Sequence, residues 1–356
     1  MSQTQTQAAL VIPEHLSPLK IIQIPIYTPD RGELLVKIHA AALNPADWKI
    51  QTEEYLECMD KFPVVIGLDR AGEVVQVGEG VQGFKKGDRI VTPSAFVRSR
   101  YQGFQQYAIA DAAFTAKIPS NITYSQAATL PIALSTAFSG LFAEFPYGAG
   151  FPAPYSDEDR KTGAGKAILI IGGASSVGQF TIQCAKLAGF STIITTASLT
   201  NASALKSQGA THVIDRSLDA ESVISRISSI KPSDPVEVVF DAIGLKSTEK
   251  FGFEVLAHFK QNIFVTSDAA PSELAAARTS VKTSKIIAAP QMPWNSNLLS
   301  SLFHDKLYEW LEAGVIKPNR LEVLDGGLNA VYEGIKRLEN NQVSGVKLVV
   351  NPQETA

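Results

Sequence analysis

One stretch of this chain has residue types and spacing suited to binding a phosphorylated ligand. Between the apolar run Ala167–Ile171 and a helical pattern carrying Val177, Phe180, Cys184 and Leu187 on one face lies a turn of small residues, GGASSVG from Gly172 to Gly178. Gly173 and Gly178 hold the outer positions of a G-x-G-x-x-G frame, with Ser175 in place of the middle glycine. Glycine lets the backbone turn tightly, and a helix beginning there points unpaired N–H groups and the positive end of its dipole at an anion. The pyrophosphate of a dinucleotide suits that position. Gly173, Ala174, Ser175, Ser176, Val177 and Gly178 are thus the candidate residues, and the competing account is a plain strand–helix connection.

A second group of residues bears on which dinucleotide is held. An acidic side chain at the end of the second strand would bind a ribose 2′-hydroxyl. No Asp or Glu occurs between Gly178 and Asp215. The loop there reads Ser198-Leu-Thr-Asn201, small or hydrogen-bonding, and Arg216 follows the third strand. An arginine fork can grip a 2′-phosphate, although a solvated loop arginine accounts for it equally well. NADPH is therefore the expected cofactor. Ile243 and Thr266, near the ends of the fourth and fifth strands, complete the candidate cofactor set.

The elements that must position these residues follow from hydrophobic patterning. Ala167–Ile171, Thr192–Thr195, Thr211–Ile214, Val236–Phe240 and Ile263–Thr266 read as strands alternating with helical stretches, which predicts a doubly wound parallel sheet. The first 130 residues instead read as short strands such as Leu34–Ala41, Gly72–Val77 and Asp88–Val91, punctuated by glycines, the texture of a partly open β-barrel. A helix is expected over Ser125–Phe142, a long surface loop over Pro146–Gly165, and a helix over Ser300–Gly314. Ser267–Ser296 carries no readable pattern. The tail returns to strand, helix and strand over Leu321–Leu324, Leu328–Glu339 and Gly345–Val350.

At 356 residues the chain has room for two cores, and 45% apolar residues with a net charge of −3 describe an ordinary globular protein. No basic tract points to nucleic acid, and no apolar run is long enough to span a bilayer. The start, MSQTQTQAAL, reads as a frayed polar tail without signal-peptide character. Cys58 and Cys184 are far apart, so neither a disulfide framework nor a Cys-based structural zinc site is expected, and a cytoplasmic setting is the default.

Taken in order, AAALNPADWK (from Ala40), IGLDRAGEVVQVGEGV (from Ile66), KKGDRI (from Lys85), AATLPIALSTA (from Ala127), GGASSVG, GATHVID (from Gly209) and SGVKLVV (from Ser344) resemble the medium-chain dehydrogenase/reductase superfamily along nearly the whole chain. The resemblance implies an α/β protein: a GroES-like catalytic domain over 1–130 and 310–356, a Rossmann domain over 131–309, and a cofactor cleft between them. Zinc enzymes of the superfamily carry a Cys ligand where this chain has Asn44, and a His-Glu pair where it has Leu68 and Asp69. Neither Asn44 nor Leu68 offers the thiolate or imidazole zinc favours, so no metal is expected. Asn44-Pro45 followed by Asp47 is instead similar to quinone oxidoreductases and enoyl reductases. The turn, the TTAS…LKSQGA run and the ending KPNRLEVLDGG…VSGVKLVV look like fungal trans-acting enoyl reductases of polyketide synthases, of the lovastatin enoyl reductase type.

That resemblance implies an NADPH-dependent reduction of a conjugated C=C, in a small molecule or in a thioester tethered to a carrier protein of a polyketide synthase. Hydrogen-bond donors must then stabilise the enolate. Asn44 is the first candidate for a polar group near the nicotinamide or the substrate carbonyl, or else a turn residue before Pro45. Thr136 matches a position that contacts the nicotinamide ribose or carboxamide in the family, or else bonds its own helix backbone. Tyr55, eleven residues after Asn44, matches a tyrosine proton donor of mitochondrial-type enoyl-thioester reductases, but Glu53 and Glu54 oppose its ionisation and favour an ordinary surface tyrosine. The alternatives are a free-standing quinone or enone oxidoreductase and a non-catalytic NADPH-binding structural protein.

Overall fold

The computed structural model describes residues 5–50, 62–94, 98–230, 236–261, 263–266 and 280–355. They form two compact units: residues 1–132, 289–291 and 299–356, and residues 133–288 with 292–298.

In the second unit six parallel strands lie in the spatial order His212–Asp215, Thr192–Ala197, Ala167–Ile171, Val236–Asp241, Ile263–Thr266 and Lys282–Lys285. The first strand in sequence is central and the chain winds outward both ways from it, the Rossmann arrangement. Ala167–Ile171 is buried at every residue, as a strand covered on both faces must be. Leu169, Ile171, Ile194, Val239, Phe253 and Phe264 form the core on one side of it. On the helix Ser176–Leu187, Phe180 and Cys184 are buried as expected, and burial pushes the Cys184 thiol well above its ordinary range. Burial is not confined to that face, because Gly178 through Ala185 are all enclosed.

The sixth strand, Lys282–Lys285, falls in the stretch that carried no pattern. Its sequence KTSK lies at the sheet edge, where one side needs no partner and apolar residues are not required. The Pro146–Gly165 loop holds only a short 3₁₀ turn at Asp159–Lys161, and it packs down on its own unit. The Gly148 carbonyl accepts from Ser284 Oγ at 2.8 Å, and Tyr155 Oη donates to the Leu298 carbonyl at 2.7 Å.

In the first unit a seven-stranded sheet runs Leu321–Leu324, Lys347–Val350, Glu33–Ala42, Asp69–Val77, Arg89–Pro93 and Ala116–Lys117, with Tyr107–Asp111 also paired to Glu33–Ala42. Leu34, Val36, Ile38, Val74, Ile90, Phe104 and Leu348 belong to its core, and its strands pair antiparallel except Leu321–Leu324 with Lys347–Val350. The chain's last strand thus lies beside one of its first, and C-terminal residues complete the N-terminal unit.

Three expectations are corrected. The start of the chain is not a frayed tail from Thr6 onward: Thr6–Ile12 is a strand paired on both sides, with Lys20–Pro25 and Val64–Val65, and Ala9 to Ile12 are fully buried. The single helix over Ser125–Phe142 is two, Tyr124–Ala127 and Pro131–Phe142, because Pro131 lacks an N–H and starts a new helix. The helix placed at Ser300–Gly314 begins earlier, at Pro293, and passes through a π-helical stretch at Ser301–Lys306 before ending at Glu312. No helix among the described residues is long and apolar enough to cross a membrane.

Candidate functional site

The turn after Ala167–Ile171 is wound tightly against its neighbouring strand. Gly172 has φ +79°, and the N–H groups of Gly172 and Gly173 both donate to the Thr196 carbonyl, at 3.2 and 3.0 Å. A Cβ at Gly173 would lie 2.0 Å from Thr195 Oγ1, and one at Gly178 would lie 2.3 Å from the Gly172 carbonyl oxygen. Both glycines are therefore demanded by the protein's own packing, whatever ligand is held. Ser175, where the fingerprint has glycine, is the N-cap: its Oγ accepts the Gly178 N–H at 3.0 Å. The N–H groups of Ser176 and Val177, first in the helix, have no acceptor within the helix. An anion beside Ala174 would meet them and the positive end of a twelve-residue helix.

The remaining cofactor candidates stand at the carboxyl ends of the same parallel strands, where open α/β sheets bind ligands. Ala197 pairs with Asp215, and the Arg216 N–H donates to the Ala197 carbonyl at 3.1 Å, so Ser198 and Arg216 leave the sheet as neighbours. The Arg216 side chain is exposed, Ser198 Oγ lies 2.9 Å from Thr200 Oγ1, and Asn201 is buried. Asp241 closes the next turn: its Oδ1 accepts the N–H groups of Ile243 and Gly244 at 3.0 and 3.2 Å, and its Oδ2 accepts from Thr248 Oγ1 at 2.7 Å. Burial still holds its carboxyl above the usual range. That turn presents Ile243, 38% exposed for an aliphatic residue, against Gly172: a Cβ on the glycine would fall 2.4 Å from Ile243 Cδ1. Thr266 ends the fifth strand, opposite Asp241, and is buried.

In the first unit Asn44 belongs to a closed polar cluster. It precedes the short helix Pro45–Lys49, and its backbone N–H donates to Asp47 Oδ2 at 2.7 Å. Its side-chain Nδ2 donates to Asp69 Oδ2 at 2.9 Å and approaches the Ala42 carbonyl at 3.4 Å, while its Oδ1 accepts from Lys347 Nζ. Lys347 Nζ also lies 2.9 Å from Asp69 Oδ2, and Asp69 Oδ1 accepts the Ile132 N–H at 2.7 Å. Asp47 is fully enclosed and its Oδ1 has no hydrogen-bond partner among the described residues. Burial pushes its carboxyl up to about 7; nearby Asp69 adds to this, and the Asn44 N–H and Lys347 oppose it.

Thr136 lies on the helix Pro131–Phe142, just over a turn beyond Ile132, and is half-buried. Tyr55 and Cys58 lie outside the described residues. Lys347 was missed as a functional residue in the sequence, although a lysine inside the apolar run GVKLVV is a signal of its own: a buried ammonium requires an acid.

Residues 30–120 match the family described as "Alcohol dehydrogenase GroES-like domain", and residues 176–290 match "Zinc-binding dehydrogenase". A trans-enoyl reductase of Aspergillus flavipes, tndF, is 30% identical over 360 residues, covering 96% of this chain and 98% of that one. This chain belongs to the medium-chain dehydrogenase/reductase superfamily. The dehydrogenase azaJ of Aspergillus niger is 38% identical over 214 residues, a match spanning 59% of this chain and 60% of azaJ. Among solved structures, an alcohol dehydrogenase superfamily protein from Novosphingobium aromaticivorans superposes with a TM-score of 0.77 at 23% identity, covering 97% of this chain and 99% of that one. The matched dehydrogenase family implies a nicotinamide cofactor. The turn, the helix N-terminus and the strand ends described above are the residues of this chain that fit such a cofactor.

Proposed function

We propose that this protein is an NADPH-dependent enoyl reductase that reduces the conjugated C=C of a thioester without a metal. The observation that carries this reading is the closed cluster of Asn44, Asp69 and Lys347. Where a zinc enzyme of the superfamily would hold its metal, this chain has an amide, the aliphatic Leu68 and a carboxylate already engaged by an ammonium and two N–H donors. Among the described residues no three His, Cys, Asp or Glu side chains gather to hold a metal, and the donor set does not fit zinc. A site without a Lewis acid suits conjugate reduction, in which charge spreads over an enolate, better than direct carbonyl reduction.

Bound NADPH would supply the hydride for the β-carbon. The N–H groups of Ser176 and Val177, beside Gly173, Ala174, Ser175 and Gly178, would hold its pyrophosphate. Ser198, Asn201 and Arg216 would face its 2′-phosphate, and Ile243 and Thr266 would flank it at the strand ends. Asn44 would offer its second amide hydrogen, held only loosely at 3.4 Å from Ala42 O, to the substrate oxygen that gains charge. Thr136 would contact the nicotinamide half, and Tyr55 or solvent would protonate the α-carbon.

In this reading residues 1–130 and 310–356 form the catalytic domain and 131–309 the cofactor domain, in the cytoplasm. The name of tndF, a trans-enoyl reductase, supports an enoyl substrate, and the resemblance to fungal trans-acting enoyl reductases implies one tethered to a polyketide synthase carrier protein. Parallel assays of NADPH oxidation with crotonyl-type thioesters, enones and quinones test the reading. Thioester reduction supports it, and turnover confined to quinones or enones replaces it with a free-standing oxidoreductase.

A further inference from the structure

We propose that Lys347 is the positioning residue for Asn44, fixing which way its amide faces and strengthening its N–H groups as donors. This rests on the role for Asn44 given above. Lys347 begins a strand, Lys347–Val350, in which every residue is buried, so its ammonium must be compensated from within. Asp69 supplies the charge, at 2.9 Å. The same Nζ also reaches Asn44 Oδ1, a contact that neutralising a buried lysine does not require.

The hydrogen-bond logic then permits one amide orientation. Ammonium is donor-only and ionised carboxylate acceptor-only. With Oδ1 on Lys347 and Nδ2 on Asp69, both contacts are attractive. Rotating the amide by half a turn would set its NH₂ against the ammonium and its oxygen against the carboxylate, so both would become repulsive. A cation on the amide oxygen also draws electron density from the nitrogen, which makes the remaining N–H a stronger donor in a low-dielectric site. Asp47 and Asp69 have no exposed surface, whereas Asn44 retains 5% and Lys347 3%, so a substrate oxygen would meet the cluster at these two residues, where the Asn44 amide is the neutral donor.

The test compares wild type, Asn44→Ala, Asp69→Asn, the pair Lys347→Met/Asp69→Asn, which leaves no lone buried charge, and the triple variant. Because Asp69 also accepts from the Asn44 amide, the step from Asp69→Asn to the pair is the one that reads Lys347. Turnover is measured with crotonyl-CoA and NADPH. The Asn44 side-chain amide is followed by NMR in asparagine-labelled protein and assigned by its loss in Asn44→Ala. The expected result for the pair is wild-type NADPH affinity, a shifted Asn44 amide signal, and kcat lowered by roughly tenfold or more, because misplacing one reacting group costs that much. In the Asn44→Ala background the same two changes should cost less than a further twofold. An undiminished loss in that background, or an Asn44 amide signal that does not move between Asp69→Asn and the pair, would overturn the proposal. Absence of any crotonyl-CoA reduction by wild type would sink the enoyl reductase reading instead, and the amide signal would still decide the role of Lys347.

Discussion

Lys347 Nζ lies 2.9 Å from Asp69 Oδ2, with 3% and 0% of the two side chains exposed, and this pair ties the strand Lys347–Val350 to the strand Asp69–Val77. Each charge is tolerable only because of the other. Lys347→Met alone or Asp69→Asn alone should lower unfolding stability by about 3–5 kcal/mol, since each strands a partner. The double change should cost markedly less than the sum. Urea denaturation of the four proteins checks this, and simple additivity would mean the charges do not interact.

Asp47 makes stability depend on pH. Its carboxyl is raised to about 7 by burial, so the fold favours the protonated form. The groups facing it are Asp69, which raises it further, and Lys347 and the Asn44 N–H, which oppose the shift. Between the unfolded value near 3.8 and about 7 the folded state binds the extra proton, so this group's contribution is full below that window and is lost as pH rises through it. Asp47→Asn keeps an oxygen for the Asn44 N–H and removes the titration. Its melting temperature relative to wild type should therefore climb from pH 4 to pH 8, and a constant difference would contradict the assignment.

Ser175 and Gly173 make separable contributions to the turn. Ser175→Ala removes the cap on Gly178 N–H and should cost about 1 kcal/mol, with a modest loss of cofactor affinity. Gly173→Ala puts a methyl group 2.0 Å from Thr195 Oγ1 and should do more damage, part of which Thr195→Ala restores. Thermal melts of the three variants would settle the order. Equal melting temperatures for Ser175→Ala and Gly173→Ala would contradict the packing account of Gly173.

Arg216 stands beside Ser198 at the sheet edge with an exposed guanidinium. If it grips the 2′-phosphate, Arg216→Ala should weaken NADPH binding by roughly tenfold and leave NADH nearly unchanged, as expected for loss of one charge-assisted contact. Fluorescence titrations with the two cofactors measure this directly, and equal losses would remove Arg216 from the phosphate site.

The parallel sheet was legible because buried strands such as Ala167–Ile171 and Ile263–Thr266 are short apolar runs between turns, and both have the expected bounds. Edge strands escape that signal: KTSK at Lys282–Lys285 needs neither apolar residues nor alternation. The tail reading of residues 6–10 failed for a related reason. Polar Thr6 and Gln7 hide a strand whose burial is set by partners far along the chain, Lys20–Pro25 and Val64–Val65. Asn44 stood out through its neighbours Pro45 and Asp47, but its dependence on Lys347 spans most of the chain, and no local spacing encodes that contact.

The central claim is that this chain reduces a carbon–carbon double bond and spares the carbonyl beside it. Incubating the full protein with NADPH and crotonyl-CoA, followed by mass spectrometry and NMR of the product, tests it most directly. The account predicts a saturated acyl thioester, formed at an undiminished rate in protein stripped by chelator. An allylic alcohol or aldehyde product, or activity that vanishes on chelation and returns with zinc, would contradict it.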